Sequence, residues 1–156
     1  MRNKQKGFSL IELLIVVAII LIIAAIAIPN LLRSKMAANE ASAVGSLRTI
    51  NTASVEFSTT YGGYPPALTN LSPATPATST SADLIDSVLA TGTKSGYTFA
   101  YVAGASDANG NVLAYTITAN PTNRGTTGQR GFFTNQTGVI RADTTAAASV
   151  TSTPIS

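Results

Sequence analysis

A long apolar run near the start of the chain is the feature that most limits its possible folds. The 21 residues from Phe8 to Ile28 include only two polar ones, Ser9 and Glu12. As a helix rising about 1.5 Å per residue, the run spans about 31 Å, close to the thickness of a bilayer's hydrocarbon core. Its fifteen Phe, Leu, Ile and Val residues each favour insertion by about 0.3 to 0.6 kcal/mol, against a penalty of about 3 kcal/mol for one buried carboxylate. The run is therefore predicted to be a transmembrane helix.

The residues in front of this run predict its orientation. Arg2, Lys4 and Lys6 precede the run, and no acidic residue lies among them. Because positively charged flanks stay on the cytoplasmic side, the N-terminus is expected in the cytoplasm and the rest of the chain outside.

Three simpler interpretations of the run stay open on pattern alone. It could be a secretory signal peptide, since Ala25-Ile26-Ala27 resembles a small-x-small cleavage site, although the run exceeds the usual length. It could be a plain single-span anchor in which Glu12 lies near the headgroups. Glu12 could also be a structural carboxylate, because a helix N-terminus favours negative charge by about 0.3 to 1 kcal/mol.

The segment from Gly7 to Asn30 reads GFSLIELLIVVAIILIIAAIAIPN and resembles the N-terminal signature of the type IV pilin family. The resemblance is dense over residues 1 to about 60, and beyond them it is an architectural pattern. It implies that a prepilin peptidase cuts between Gly7 and Phe8 and that the new N-terminal residue, Phe8, is N-methylated. The apolar helix would stay attached to the mature chain.

The resemblance also gives Glu12 and Pro29 roles that physical chemistry supports. Cleavage would leave a charged amine on Phe8 in apolar surroundings, where an unpaired charge is costly enough to need a partner. In the family, the glutamate of an incoming subunit is thought to meet its neighbour's N-terminal amine, which implies an assembly role for Glu12 with Phe8. Pro29 lacks an N–H and its ring clashes with the carbonyl four residues earlier, which predicts a helix kink near 25–29.

Apolar residues at helical spacing continue beyond Pro29 and predict an amphipathic helix over residues 29–60. The members of this stripe are Ala37, Val44, Leu47, Ile50 and Phe57. The helix is expected to end near Tyr61-Gly62-Gly63, since glycine tolerates left-handed termination. A connector over 61–96 follows, with a short helix predicted at Ala82 to Ala90 and Ser81 as its N-cap.

The segment 97–142 predicts an antiparallel sheet. Residues 97–102 and 113–118 alternate between apolar and polar positions, and two more strands are expected near 130–134 and 139–142. The fold class is thus predicted as α+β and type IV pilin-like: a long N-terminal helix, its apolar half protruding, packed against a sheet of three or four antiparallel strands. Residues 143–156 are predicted to form a flexible C-terminal tail.

Composition narrows the chemistry. The chain has no Cys and no His, so thiol nucleophiles, imidazole bases and the usual soft metal sites are unavailable to it. We therefore expect no enzymatic activity, no cofactor and no metal site. Asp107, Asn109 and Asn111 alternate like calcium ligands, but a turn that requires Asx and Gly residues explains them better.

Net charge indicates little about partners. Removing the leader's three basic residues from the total of ten leaves seven, which equals the seven acidic residues. Arg124, Arg130 and Arg141 give the C-terminal part a local positive bias, but scattered solvated arginines explain it better than a surface for DNA or acidic ligands. Nucleic-acid binding is therefore not indicated.

The resemblance implies that the chain is a prepilin, held in the inner membrane and then polymerised with copies of itself into an extracellular filament on the cell surface. The implied partners are a prepilin peptidase, an assembly ATPase, a platform protein and, in some filaments, minor pilins. A type II secretion pseudopilin that forms a periplasmic pseudopilus carries the same motif. A monomeric membrane-anchored binding domain, either an adhesin or a DNA receptor, is the alternative from a different class.

Overall fold

Helix α1 runs over 52 residues from Leu10 to Tyr61 in the computed structural model, which describes residues 7–155. The basic residues Arg2, Lys4 and Lys6 of the predicted leader lie outside the described residues. The chain divides into two units, Met1–Lys35 and Met36–Ser156, and each is described by itself below. The α-helical conformation continues through Pro29, and the kink there stays a prediction.

The predicted end of α1 is confirmed. The helix stops at Tyr61, and Gly62 follows with φ of +85°. The N–H of Gly62 still donates to the carbonyl of Ser58 at 3.0 Å. Glycine adopts this left-handed conformation without the steric cost that a Cβ would add.

A six-stranded antiparallel sheet occupies the C-terminal half, and its strands lie side by side in chain order. The strands are β1 (Thr93–Lys94), β2 (Tyr97–Ala103), β3 (Tyr115–Pro121), β4 (Gly131–Asn135), β5 (Arg141–Asp143) and β6 (Thr153–Pro154). The α+β class and the antiparallel order are confirmed, whereas the prediction of three or four strands is wrong. The two additional strands, β1 and β6, have two residues each, so no alternation exists from which to predict them.

The third strand in the chain also differs from its predicted bounds. β3 begins at Tyr115 rather than Leu113. The N–H of Leu113 donates to the carbonyl of Ala105 at 2.9 Å, and the carbonyl of Ala114 accepts from Gly104 at 2.7 Å. These bonds continue the antiparallel register of β2 and β3 beyond the strand ends, toward the turn at residues 107–111.

The core of the second unit lies between α1 and the sheet. Leu47, Ile50 and Phe57 are buried there as the helical spacing predicted, and Val44 packs against them. Ala37, in contrast, is exposed. From the sheet and the connector, the main buried side chains are Leu68, Leu71, Ile85, Leu89, Tyr97, Phe99, Tyr115, Ile117 and Phe132.

The connector contains less helix than predicted. A 3₁₀ turn forms at Leu68–Leu71, and α2 covers only Ser87–Ala90 instead of 82–90. Its N-cap is Asp86, whose Oδ1 accepts from the N–H of Leu89 at 2.9 Å, and not Ser81. Asp83 has a φ of 55°, outside the helical region, so a helix cannot pass through it.

The backbone next to Asp83 also has partners outside any helix. The N–H groups of residues 82–85 donate to carbonyls of Asn70, Leu71 and Ser72 at 2.8 to 3.1 Å. These bonds anchor the connector to the 3₁₀ turn and explain why the predicted helix is shortened to its last four residues.

Regular structure extends into the segment predicted as a tail. Thr153–Pro154 pairs with β5 as strand β6. The Arg124 guanidinium donates to the carbonyls of Thr144 and Ala146 at 2.8 Å each, and Arg141 Nη1 donates to the carbonyl of Ser152 at 2.9 Å. These contacts use backbone carbonyls as acceptors, and a pattern of apolar residues carries no information about such acceptors. The sequence therefore did not predict them.

A buried carboxylate joins α1 to the segment that leads into β4. Glu40 is 8% exposed. Its Oε1 accepts from the backbone N–H groups of Gln129 and Arg130 at 2.8 and 3.1 Å, and its Oε2 accepts from Arg130 Nε at 2.7 Å. Burial alone would raise the pKa of Glu40, but the hydrogen bonds from Gln129 and Arg130 and the charge of Arg130 outweigh it and lower that pKa below 4.5.

Replacing Glu40 with Gln should make the second unit, Met36–Ser156 (the head), less stable at neutral pH. We expect a loss of about 1 to 3 kcal/mol, because the charged hydrogen bond to Arg130 is lost. A lowered folded-state pKa contributes stability above the unfolded pKa and loses it as the pH falls through the folded value. The difference in melting temperature between wild type and Glu40→Gln should therefore be large at pH 7 and shrink below pH 4.5. Glu56→Gln, an exposed change on the same helix, should show no such dependence, and a pH-independent gap for Glu40→Gln would contradict the prediction.

Candidate assembly site on the N-terminal helix

The N-terminal half of α1 exposes an apolar surface that nothing within its own unit covers. An 18-residue window in α1 has a mean hydropathy of 3.3, and none of it is buried. Exposure is 82% at Phe8 and still 45% at Val17, the most covered large apolar side chain of the segment 8–28. By length and composition, α1 is the one helix among residues 7–155 that could cross a membrane, although a signal sequence would pass the same test. Such a surface requires lipid or other protein to cover it.

The predicted processing and assembly residues lie together at the start of this helix. Gly7 and Phe8 precede the first helical residue, Leu10, and Glu12 lies in the first turn. A Cβ built on Gly7 would meet no other atom within 4 Å, so packing does not require glycine at this position. The roles in cleavage, methylation and register that the resemblance implies for these residues stay predictions.

Several carboxylates of the head have structural partners. Asp86 caps α2 and pairs with Lys94 at 2.9 Å. Asp143 Oδ1 accepts from the N–H groups of Thr145 and Ala146 at 2.8 and 3.0 Å. Together with Glu40, these residues serve as a helix cap, as turn acceptors and as partners in two ion pairs within the described fold.

Asp107 and the amides after it form a closed turn. Asp107 Oδ1 accepts from the backbone N–H groups of Asn109 and Asn111 at 2.8 and 2.9 Å, and its Oδ2 accepts from Asn111 Nδ2 at 3.0 Å. The bonds from Asn111 and Asn109 hold the pKa of this carboxyl below its usual range. The geometry is that of an Asx turn, in which the carboxylate is already occupied by N–H donors.

The three C-terminal arginines also have partners within the head. Arg130 binds Glu40, while Arg124 and Arg141 donate to backbone carbonyls. The sequence analysis assigned Glu40 no role. A signal was present, because Glu40 lies three residues before Ala43 and seven before Leu47, both of which are buried on the same helix.

Buried tyrosines act as hydrogen-bond donors in the core. Tyr97 Oη donates to the carbonyl of Arg130 at 2.8 Å, and Tyr115 Oη donates to Asn51 Oδ1 at 3.1 Å. Burial raises the pKa of Tyr97 and of Tyr115 to about 12. Both phenols therefore stay protonated at neutral pH and link the sheet to other elements instead of supplying acid–base chemistry.

Comparison with known proteins adds to this picture. The sequence model of the family described as the prokaryotic N-terminal methylation motif matches residues 2–28. The match includes the Gly7–Phe8 junction, Glu12 and the whole apolar run. The residues that carry the resemblance to type IV pilins therefore match this methylation motif.

Two curated pilins are similar to the N-terminal part of this chain. One is the type IV wide pilus major component PilA4 of Thermus thermophilus, 65% identical over 40 residues, which cover 26% of this chain and 30% of the relative. The other is the type IV major pilin protein PilA of Myxococcus xanthus, 46% identical over 54 residues, which cover 35% of this chain and 24% of the relative. The chain thus spans less than a third of the length of either relative. No solved structure matches it significantly.

Calcium should leave the stability of the head unchanged, because the Asp107 oxygens already accept three N–H bonds. The measurement is the melting temperature of the fragment 36–156 in millimolar calcium and in chelator. Asp107→Ala should lower the melting temperature equally in both buffers, since the same donors lose their acceptor. A calcium-dependent rise that Asp107→Ala abolishes would contradict the Asx-turn interpretation and favour a pseudopilin.

Proposed function

We propose that the chain is a structural subunit, a prepilin, of a type IV pilus-like filament. The observation that carries this proposal is the fully uncovered apolar segment of α1 in a chain that also has a well-packed head. An apolar helix surface can be covered by lipid before assembly and by the helices of neighbouring copies afterwards. The named roles of the two relatives, a wide pilus major component and a major pilin, support the same assignment.

The processing step follows from the N-terminal motif. A prepilin peptidase cleaves between Gly7 and Phe8, and Phe8 is then N-methylated. The uncut chain is held in the inner membrane by residues 8–28 with its leader in the cytoplasm, and the mature chain moves to a filament on the cell surface. An assembly ATPase and a platform protein supply and transmit the work of extraction, and minor pilins join some filaments.

Glu12 sets the register between copies. Its carboxylate meets the N-terminal amine of a neighbouring copy's Phe8, because two opposite charges in apolar surroundings neutralise each other's desolvation cost. Pro29 gives α1 a local bend, since its missing N–H removes one helical hydrogen bond.

The shape of the sheet supports polymerisation through helices and not through strands. The strands at its two edges, β1 and β6, are two residues long, and β6 contains Pro154. Short edges and edge prolines oppose strand addition from another copy.

The role is structural and requires neither a cofactor nor a metal. Several of the head's carboxylates cap helices or turns or pair with a basic side chain, and its buried phenols serve as donors.

The first test is the mass of the native chain recovered separately from membranes and from material sheared off the cell surface. A chain that begins at methylated Phe8 in the sheared fraction is the expected result. A chain that begins near Ile28 would mean an ordinary signal peptide and would refute the proposal. Processed chain that stays with the cell would indicate either a periplasmic pseudopilus or a monomeric anchored binding domain, and crosslinking in whole cells separates a polymer from a monomer.

Glu12→Ala should leave membrane insertion intact and lower the filament yield at least tenfold, because a copy's amine is left unpaired in apolar surroundings. The measurement compares pilin in membranes with pilin in the sheared fraction. Ser9→Ala, which changes the only other polar residue of the run, is the matched control and should assemble normally. A normal yield from Glu12→Ala would exclude the register role.

A further inference from the structure

In the head, α1 carries one basic and one acidic residue on a surface that the sheet does not cover. Arg48 and Glu56 are both exposed on α1 and line one shallow groove of about 320 Å³. The other residues that line this groove are Thr49, Thr52, Ala53 and Leu84. Residues 48, 52 and 56 are spaced by four, so they follow one side of the helix.

Neither charge has a partner within the described chain. The ion pairs found among residues 7–155 are Lys94 with Asp86 and Arg130 with Glu40. Eight helical positions separate Arg48 from Glu56 by about 12 Å along the axis, which is two turns and too far for the favourable i, i+4 spacing. Each side chain is therefore available to another molecule.

The hydroxyl groups on the surface between the two charges already donate hydrogen bonds within the helix. Thr49 Oγ1 donates to the carbonyl of Gly45, and Thr52 Oγ1 donates to the carbonyl of Arg48, both at 3.1 Å. Because each hydroxyl proton is used within the helix, these threonines can present their methyl groups outward. A neighbouring surface can cover this stretch without leaving its hydroxyl donors unpaired.

We propose that Arg48 of one copy pairs with Glu56 of an adjacent copy, so that this face of α1 is a contact between subunits of the filament. The inference rests on the proposed function, since it requires assembled copies. A face that carries a base and an acid at different heights is complementary to an axially shifted copy of itself. The occupant is thus a second copy of this chain.

The test is a charge exchange in the full-length chain in cells that assemble filaments. Arg48→Glu and Glu56→Arg should each lower the sheared-filament yield about tenfold, since each places like charges at the contact, and the double variant should recover to within about twofold of wild type. Pilin in the membrane should be unchanged in all variants. The detergent-extracted single variants should melt close to wild type, because neither side chain has a hydrogen-bond partner within the described chain.

Asp83 provides the matched control, because it is an exposed acid next to Leu84 of the same groove. Arg48→Glu combined with Asp83→Arg should not recover the yield, and recovery there would overturn the pairing. Single variants that assemble like wild type would refute the inference and leave the proposed function intact. If wild type itself forms no filament, the proposed function fails and this inference fails with it.

Discussion

Helix α1 has to satisfy two different environments, and the rest of the structure follows from that requirement. In the first unit of the chain, residues 8–28 expose an apolar surface. This surface needs lipid or protein to cover it. From Glu40 onward, one side of the same helix is buried and the other carries charges. A single 52-residue element can do both only if its hydrophobicity changes from an all-round pattern to a one-sided stripe, and the sequence changes in this way beyond Pro29.

The head is held together without disulfides, since the chain contains no Cys. Polar side chains supply cross-links between segments that are distant in sequence. Glu40 and Asn51 of α1 bond to residues 129–130 and to Thr134, and arginines 124 and 141 bond to carbonyls of the C-terminal segment. A guanidinium has five N–H donors in a fixed geometry. One arginine can therefore donate to several carbonyls of a segment that contains few strand residues.

Sequence periodicity predicted the elements that leave a local pattern in the sequence. The run 8–28, the end of α1 at Tyr61 and the alternation in β2 extend over many residues or depend on glycine, so each leaves a local signal. The failures depend on pairing between segments. β1 and β6 exist because a neighbouring strand pairs with them, and the backbone around Asp83 bonds to the 3₁₀ turn instead of continuing a helix.

Charged residues on α1 show the same limit of sequence-based prediction, and helical phase offers a way to reduce it. Glu40 and Glu56 are the same residue type on the same helix, yet the first is buried and paired while the second is exposed and has no ion-pair partner among residues 7–155. The difference is helical phase, because position 40 lies in line with the buried stripe at 43, 47 and 50 and position 56 does not. Phase therefore separates charges that stabilise a subunit from charges left available for contacts between subunits, and it places Arg48 with Glu56 in the second group.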